Sequence, residues 1–314
     1  MRLGVVTEAF AERALPDVLD LLARVVPAVT ELELGAGGYA PTTHCDRAHL
    51  LADEPARHRW LDELDGRGFR VAALNVWGNP LHPDAELAGR HDADLREAIR
   101  LAGLLGVDRV LALAGCPAAL VGDRTPHFAG GGWLPYLEGL YERQWEERGA
   151  PYWAELSELA RREHRDLLLC VELHPGTLVY NHETFARFAA LGDNLAANVD
   201  PSHFFWQRID PLMLVQRLPG RIGHAHAKDV VFDEERLALN GLLDHRWPDE
   251  EAPWTFATVG RGRDGEWWRA FAAALEERGV ETLAIEHEDP AVAAEDGIAE
   301  AARVLVRAGR AEAA

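Results

Sequence analysis

With 314 residues, 48% of them hydrophobic and 27% charged, the chain has room for two average domains or one α/β barrel and the composition of a soluble globular protein. Its formal net charge of −20 argues against nucleic acid or an anionic membrane surface as partner, since both call for basic patches. Cys45, Cys116 and Cys170 are too few and too widely spaced for a disulfide framework, no apolar run reaches the roughly 18 residues of a spanning helix, and Met1-Arg-Leu-Gly-Val-Val does not read as a signal peptide. A reducing cytoplasm is therefore expected.

Apolar runs of strand length alternate with longer stretches of helical period. A strand at Leu3–Val6 is followed by a helix at Pro16–Val26. A second strand, Thr30–Leu34, ends in Gly35-Ala-Gly-Gly38, and a helix near Arg47–Arg67 is stopped by Gly68. Strand three, Arg70–Val76, runs into Trp77, and the helix Asp84–Leu105 is closed by Gly106. Strand four is Val107–Leu113. An irregular stretch, about 114–134, then carries Gly115, Gly122, Gly130, Gly131 and Gly132. Tyr136–Arg148 and Pro151–Glu163 read as two helices or one interrupted at Gly149-Ala-Pro151. Next come strand Asp166–Val171, helix His182–Leu191, strand Leu195–Val199, helix Pro211–Leu218 and strand Arg221–Ala225. A second long insertion, about 230–264, precedes helix Gly265–Arg278, strand Glu281–Ile285 and helix Ala291–Ala308, with a frayed tail to Ala314. Eight strand–helix pairs without a linker predict a single-domain (β/α)8 TIM barrel over residues 1–314. A doubly wound sheet fits less well, because strand one leads to Thr7-Glu-Ala-Phe10 and not to a glycine-rich phosphate turn.

Four strand ends break into acids and histidines: Cys170-Val-Glu-Leu-His-Pro-Gly176, Asn198-Val-Asp-Pro-Ser-His203, Gly223-His-Ala-His-Ala-Lys-Asp229 and Ala284-Ile-Glu-His-Glu-Asp289. They lie about 25 to 60 residues apart, the βα spacing of a barrel whose strand ends share one mouth. One candidate ligand comes from each: Glu172, Asp200, His226 and Glu286. Three carboxylates and one neutral imidazole suit a single divalent ion, Mn2+ first, with Mg2+, Co2+ or Zn2+ as alternatives. Without a cation their repulsion and desolvation would cost several kcal/mol. Blander readings exist for each. Glu172 could sit in an ion pair at the mouth, and Asp200 could cap a helix. Of His224 and His226 only one is expected to point inward, with His226 favoured and His224 packed in the wall. Glu288 shares a strand face with Glu286, which is preferred because it comes first after the apolar run.

These motifs resemble the sugar phosphate isomerase/epimerase family, the xylose-isomerase-like barrels, over the whole chain. The matching residues are Glu172 in Val-Glu-Leu-His-Pro, Asp200 and His203 in Asp-Pro-Ser-His-Phe-Phe-Trp-Gln, His226 in His-Ala-Lys-Asp and Glu286 in Ile-Glu-His-Glu-Asp. The resemblance to ketose 3-epimerases implies that Glu172, Asp200, His226 and Glu286 hold the metal, that Glu172 and Glu286 also move the proton, and that His203 acts beside them. His174 and Lys228 are then expected substrate contacts. Lys228 marks a departure, because ketose 3-epimerases lead from this histidine to an arginine. Part of the family, including the larger subunit of C-glycoside deglycosidases, acts on 3-keto-glycosides.

Such a site acidifies a C–H beside a carbonyl. Reprotonating the resulting enediolate epimerises or isomerises a ketose or keto-sugar. Expelling a β substituent instead makes a lyase that releases the aglycone of an O- or C-linked 3-keto-glycoside. The two long loops are expected to be substrate lids. His127 and Phe128, with Trp133 and Tyr136 behind them, stand in the first; His245, Trp247 and Trp254 stand in the second. His127, Trp206 and Trp254 complete the expected substrate contacts. Arg124, Arg208 and Arg261 are scattered, so a neutral sugar or keto-glycoside is expected and not a phosphate. An abasic-site endonuclease would need a basic face, and a non-catalytic sugar-binding barrel would not need four metal donors. A homo-oligomer or a small partner subunit is left open.

Overall fold

Eight of the apolar runs pair in parallel and close on themselves in the computed structural model, which describes residues 1–130, 135–243 and 251–310. The barrel strands are β1 (Arg2–Val6), β2 (Val29–Gly38), β3 (Arg70–Trp77), β4 (Arg109–Leu113), β5 (Leu168–Glu172), β6 (Leu195–Val199), β7 (Arg221–Ala227) and, after a two-stranded insertion, β10 (Thr282–Ile285). Their order is β1-β10-β7-β6-β5-β4-β3-β2, a closed TIM barrel as expected. Register places Glu172 beside Asn198, Asn198 beside His224, and His226 beside Ala284. Amphipathic helices such as α1 (Leu15–Val25), α4 (Ala85–Leu105) and α11 (Gly265–Glu277) bury their apolar faces against the outside of the strands. Asp84 starts α4 by accepting from the Glu86 and Leu87 amides, and Gly106, at φ 68, stops it.

Four elements differ from expectation. β2 does not end at Leu34 but runs on through the glycines. Gly38 has φ 71, and a Cβ there would lie 2.0 Å from the Trp77 carbonyl oxygen, so only glycine lets β2 stay paired with β3. The helix expected at 47–67 is two, α2 (Arg47–Ala52) and α3 (Glu54–Asp65). Asp53 leaves helical geometry to cap the second, accepting from Ala56 N–H, with Pro55 in its first turn. The interruption at Gly149 is bridged by a π turn, Trp145–Gly149, which joins α5 (Leu140–Gln144) to α6 (Ala150–Glu163). The second insertion is not a bare loop. Its two ends pair as antiparallel strands, β8 (Asp229–Phe232) and β9 (Trp254–Ala257), with helix α10 (Glu234–Asn240) between them. Gly131, Gly132, Trp133, His245, Trp247 and the last residues to Ala314 lie outside the described residues, as does the side chain of Tyr136.

Candidate metal centre

The strand ends deliver their polar side chains to one mouth. Glu172 is the last residue of β5, Asp200 follows β6, His226 lies at the end of β7 with Lys228 just beyond, and Glu286 follows β10. All five are at most 5% exposed. His226 Nδ1 stands 3.1 Å from Glu286 Oε2 and 3.7 Å from Glu172 Oε2. Lys228 Nζ bridges Asp200 Oδ2 at 3.0 Å, Glu286 Oε2 at 2.8 Å and Glu288 Oε2 at 2.8 Å. Glu172 Oε1 accepts from His203 Nε2 at 2.8 Å, and its Oε2 accepts from Asn198 Nδ2 at 3.2 Å. The helix-cap reading of Asp200 is met by one oxygen, since Oδ1 accepts from the Ser202 amide while Oδ2 turns to Lys228.

The expected packing of His224 away from His226 is a correction. Residues two apart on a strand share a face, so both rings point inward, and both Nε2 atoms lie 2.9 Å from the same oxygen, Glu33 Oε2. Asn75 Nδ2 donates to the other oxygen of Glu33 at 2.5 Å. Glu33, on β2, and Asn75, on β3, were not among the expected site residues, nor was Glu8 in the short 3-10 turn Thr7–Phe10 after β1.

Burial and charge pull the titratable groups apart. Burial would raise Glu33, but His226 and His224 hold it far below the usual carboxylate range. Asp200 is likewise held low against its burial, by Lys228, His203 and His226. Burial raises Glu172, and it pushes Glu286 up to about 7 against the opposing pull of Lys228 and His226. Glu8 is also pushed up to about 7, by burial and then by Glu286 and Glu288. Burial lowers His203 to about 4 and His174 to about 4, so both rings are neutral near pH 7. His226 and Lys228 rise despite burial, the first through Glu33 and Glu286, the second through Asp200, Glu286 and Glu288.

This donor set fits a divalent cation. Asp200, His226 and Glu286 each offer a ligand atom, all within 4.8 Å of one another, and Glu172 reaches the same ring nitrogen. Asp200 Oδ2 and Glu286 Oε2 are buried with no aligned hydrogen-bond donor, their contact with Lys228 being ionic only. Glu172 with His174 and His203, and Glu33 with His224 and His226, are two further groups close enough to share an ion.

The β8–β9 hairpin packs against these groups. Phe256 stands 4.6 Å from Lys228 Nζ and edge-on to His203 at 5.7 Å. His174 tilts against His203 at 4.2 Å. Trp206 and Trp254 stack face to face at 5.2 Å and are 8% and 5% exposed. His127 does not join the cluster through any hydrogen bond or ion pair of its ring among the described residues; its backbone carbonyl accepts from Gln144. Trp77, at the end of β3, places its ring 6.3 Å from that of His226.

A family model described as "Xylose isomerase-like TIM barrel" matches residues 31–308. A Bacillus subtilis protein, "Uncharacterized protein YfiH", is 33% identical over 304 residues, 95% of this chain and 96% of that one. Among solved structures, the probable 3-DHS dehydratase AsbF from Bacillus anthracis superposes with a TM-score of 0.68 at 14% identity, covering 98% of this chain and 99% of the other. An IolI protein with a bound zinc atom superposes at 0.64 and 18% identity, covering 99% and 98%. A D-psicose 3-epimerase superposes at 0.62 and 12% identity, again covering 99% and 98%. At these identities the structural likenesses speak to the fold. No helix among the described residues is long and apolar enough to cross a membrane.

Proposed function

The chain belongs to the xylose isomerase-like TIM barrel family, and on that premise we propose a divalent-metal-dependent sugar isomerase or epimerase, using Mn2+ and working in the cytoplasm. The observation that carries the reading is the convergence of Glu172, Asp200 and Glu286 with His226 Nδ1 at one buried point. When bound, the ion would act as a Lewis acid and template toward a carbonyl oxygen and its neighbouring hydroxyl. Asp200 and His226 serve as ligands alone. Glu172 and Glu286 come from strands separated by β6 and β7, so they can approach a substrate carbon from different sides, one removing the proton and the other returning it. His203, neutral, donates Nε2–H to Glu172 and steadies that carboxylate. The buried surroundings exclude water from the enediolate.

The substrate is an uncharged ketose or keto-sugar. Lys228 is already matched by three carboxylates. Arg124 pairs with Asp84, Arg261 pairs with Glu300 and Asp289, and Arg208 is exposed. Lys228, Arg124 and Arg261 are thus already matched by carboxylates, and none of them is a free cation for a phosphate. Elimination from a 3-keto-glycoside is the second reading, favoured by the aromatic hairpin beside His203.

The test is hydrogen exchange. The metal-loaded protein is incubated in D2O with free ketoses and with O- and C-linked 3-keto-glucosides, and products are read by NMR. Deuterium in a new sugar isomer supports the epimerase or isomerase, and release of free aglycone supports the lyase. No exchange with any substrate while metal is bound would remove both.

A further inference from the structure

We infer that Glu33 is a positioning residue that locks the ring of His226 so that Nδ1 faces the metal, and thereby sets the metal affinity of the site. The inference rests on the metal-centre reading above. Glu33 is fully buried on β2, and three donors reach its carboxylate: His224 Nε2 and His226 Nε2 at 2.9 Å on Oε2, and Asn75 Nδ2 at 2.5 Å on Oε1. An ionised carboxylate only accepts, so each of these ring nitrogens carries its hydrogen on Nε2. For a neutral His226, this leaves a lone pair on Nδ1. That atom points at two further acceptors, Glu286 Oε2 at 3.1 Å and Glu172 Oε2 at 3.7 Å. Lys228 Nζ, 2.8 Å from Glu286 Oε2, supplies part of the positive charge these acceptors need; a divalent ion held between Nδ1 and the acids would supply the rest. Turning the ring over would break the bond to Glu33 and present carbon to the acids. Glu33 therefore selects both the tautomer and the ring orientation, as outer partners of metal-binding histidines do.

His224 supports the same arrangement. It is fully buried, its Nδ1 has no hydrogen-bond partner, and its Nε2 is held by Glu33. It supplies a second N–H to the carboxylate and makes no hydrogen bond or ion pair with Asp200, Glu172 or Glu286. Asn75 closes the remaining oxygen. The three donors reach Glu33 from β3 and β7, so the clamp spans the barrel interior rather than following one strand.

Two measurements test this. The first uses the unaltered protein loaded with diamagnetic Zn2+ or Mg2+, with ring nitrogens read by 15N NMR. The expected result is a protonated Nε2 on His226 and a metal-induced shift of Nδ1; a metal-bound Nε2 would overturn the inference. The second compares divalent-ion affinity, by chelator competition, for Glu33→Gln and for Glu31→Gln. Glu31 is a buried acid on the same strand, paired with Arg2 and Arg70. The Glu33 variant is expected to bind about 10- to 100-fold more weakly, with the Glu31 variant unchanged. If the unaltered protein binds no divalent ion, the functional reading itself falls. If it binds and Glu33→Gln binds equally well, only the role of Glu33 falls. The NMR result stands even if Glu33→Gln fails to fold.

Discussion

Inside the barrel, Ala73, Leu111, Leu168, Cys170 and Ala196 form a buried apolar layer that is two residues deep on β5. Two residues further along the same strands, the layer changes character: Ala73 on β3 gives way to Asn75, Cys170 on β5 to Glu172, and Ala196 on β6 to Asn198. Side chains two apart share a face, so each of these strands feeds both layers with no change of direction. The lower layer is stable because apolar groups need only contact. Each polar group in the upper layer needs a partner of matching charge, and the partners come from other strands: Glu33 for His226, Asn198 for Glu172, Lys228 for Asp200. The barrel thus separates packing from chemistry within a few ångströms along β3, β5 and β6.

The sharpest break of this contrast is at the two glutamates. Glu172→Gln and Glu286→Gln keep the side-chain size and remove the carboxylates proposed to move the proton. Each is expected to slow solvent exchange by roughly 10²- to 10⁴-fold with an unchanged circular dichroism spectrum; full exchange in either variant would take that residue out of proton transfer. Lys228→Met removes the cation among Asp200, Glu286 and Glu288. The metal-free protein should lose about 3–5 kcal/mol of stability, largely recovered on adding a divalent ion, as read by melting with and without chelator. An equal loss in both conditions would show that Lys228 is not the counter-charge of the site.

In the apolar layer, Leu111→Ala should cost about 2–5 kcal/mol whether or not metal is present, and leave metal affinity unchanged in a chelator competition. The smallest effect is at Glu8, which is half-buried, with a pKa pushed up to about 7 from its usual 4.5 by burial and then by Glu286 and Glu288. Because the folded state disfavours its ionised form, it costs stability as pH rises from 4.5 to 7. Glu8→Gln should therefore match the parent below that window and melt higher above it, by about 2 °C after solvent screening. A melting curve taken at both pH extremes checks the sign.

Much of the site was legible because a barrel turns sequence position into spatial position. Once eight strand ends are known to share a mouth, Glu172, Asp200, His226 and Glu286 must meet there, however far apart in the chain. The same logic found Lys228, which follows His226 on the same edge. Glu33 was hidden for the opposite reason. It lies within β2, one of two glutamates flanking Leu32, and looks like an ordinary alternating strand residue until its partner His224, 191 positions later, is brought against it. His224 was misplaced by misapplying the strand period, which sets neighbours and not next-neighbours on opposite faces.

By itself, then, the sequence determined the strand–helix alternation, the number of barrel strands and the acids and histidine that end them, because these depend on local period and on the apolar runs. Barrel closure decided that Glu33 would hold two histidines and that Lys228 would lie among three carboxylates, and the pairing of β8 with β9 outside the barrel brought Phe256 against His203. Those contacts join residues with no local relation, and their energies depend on distance and burial, which a linear pattern does not contain.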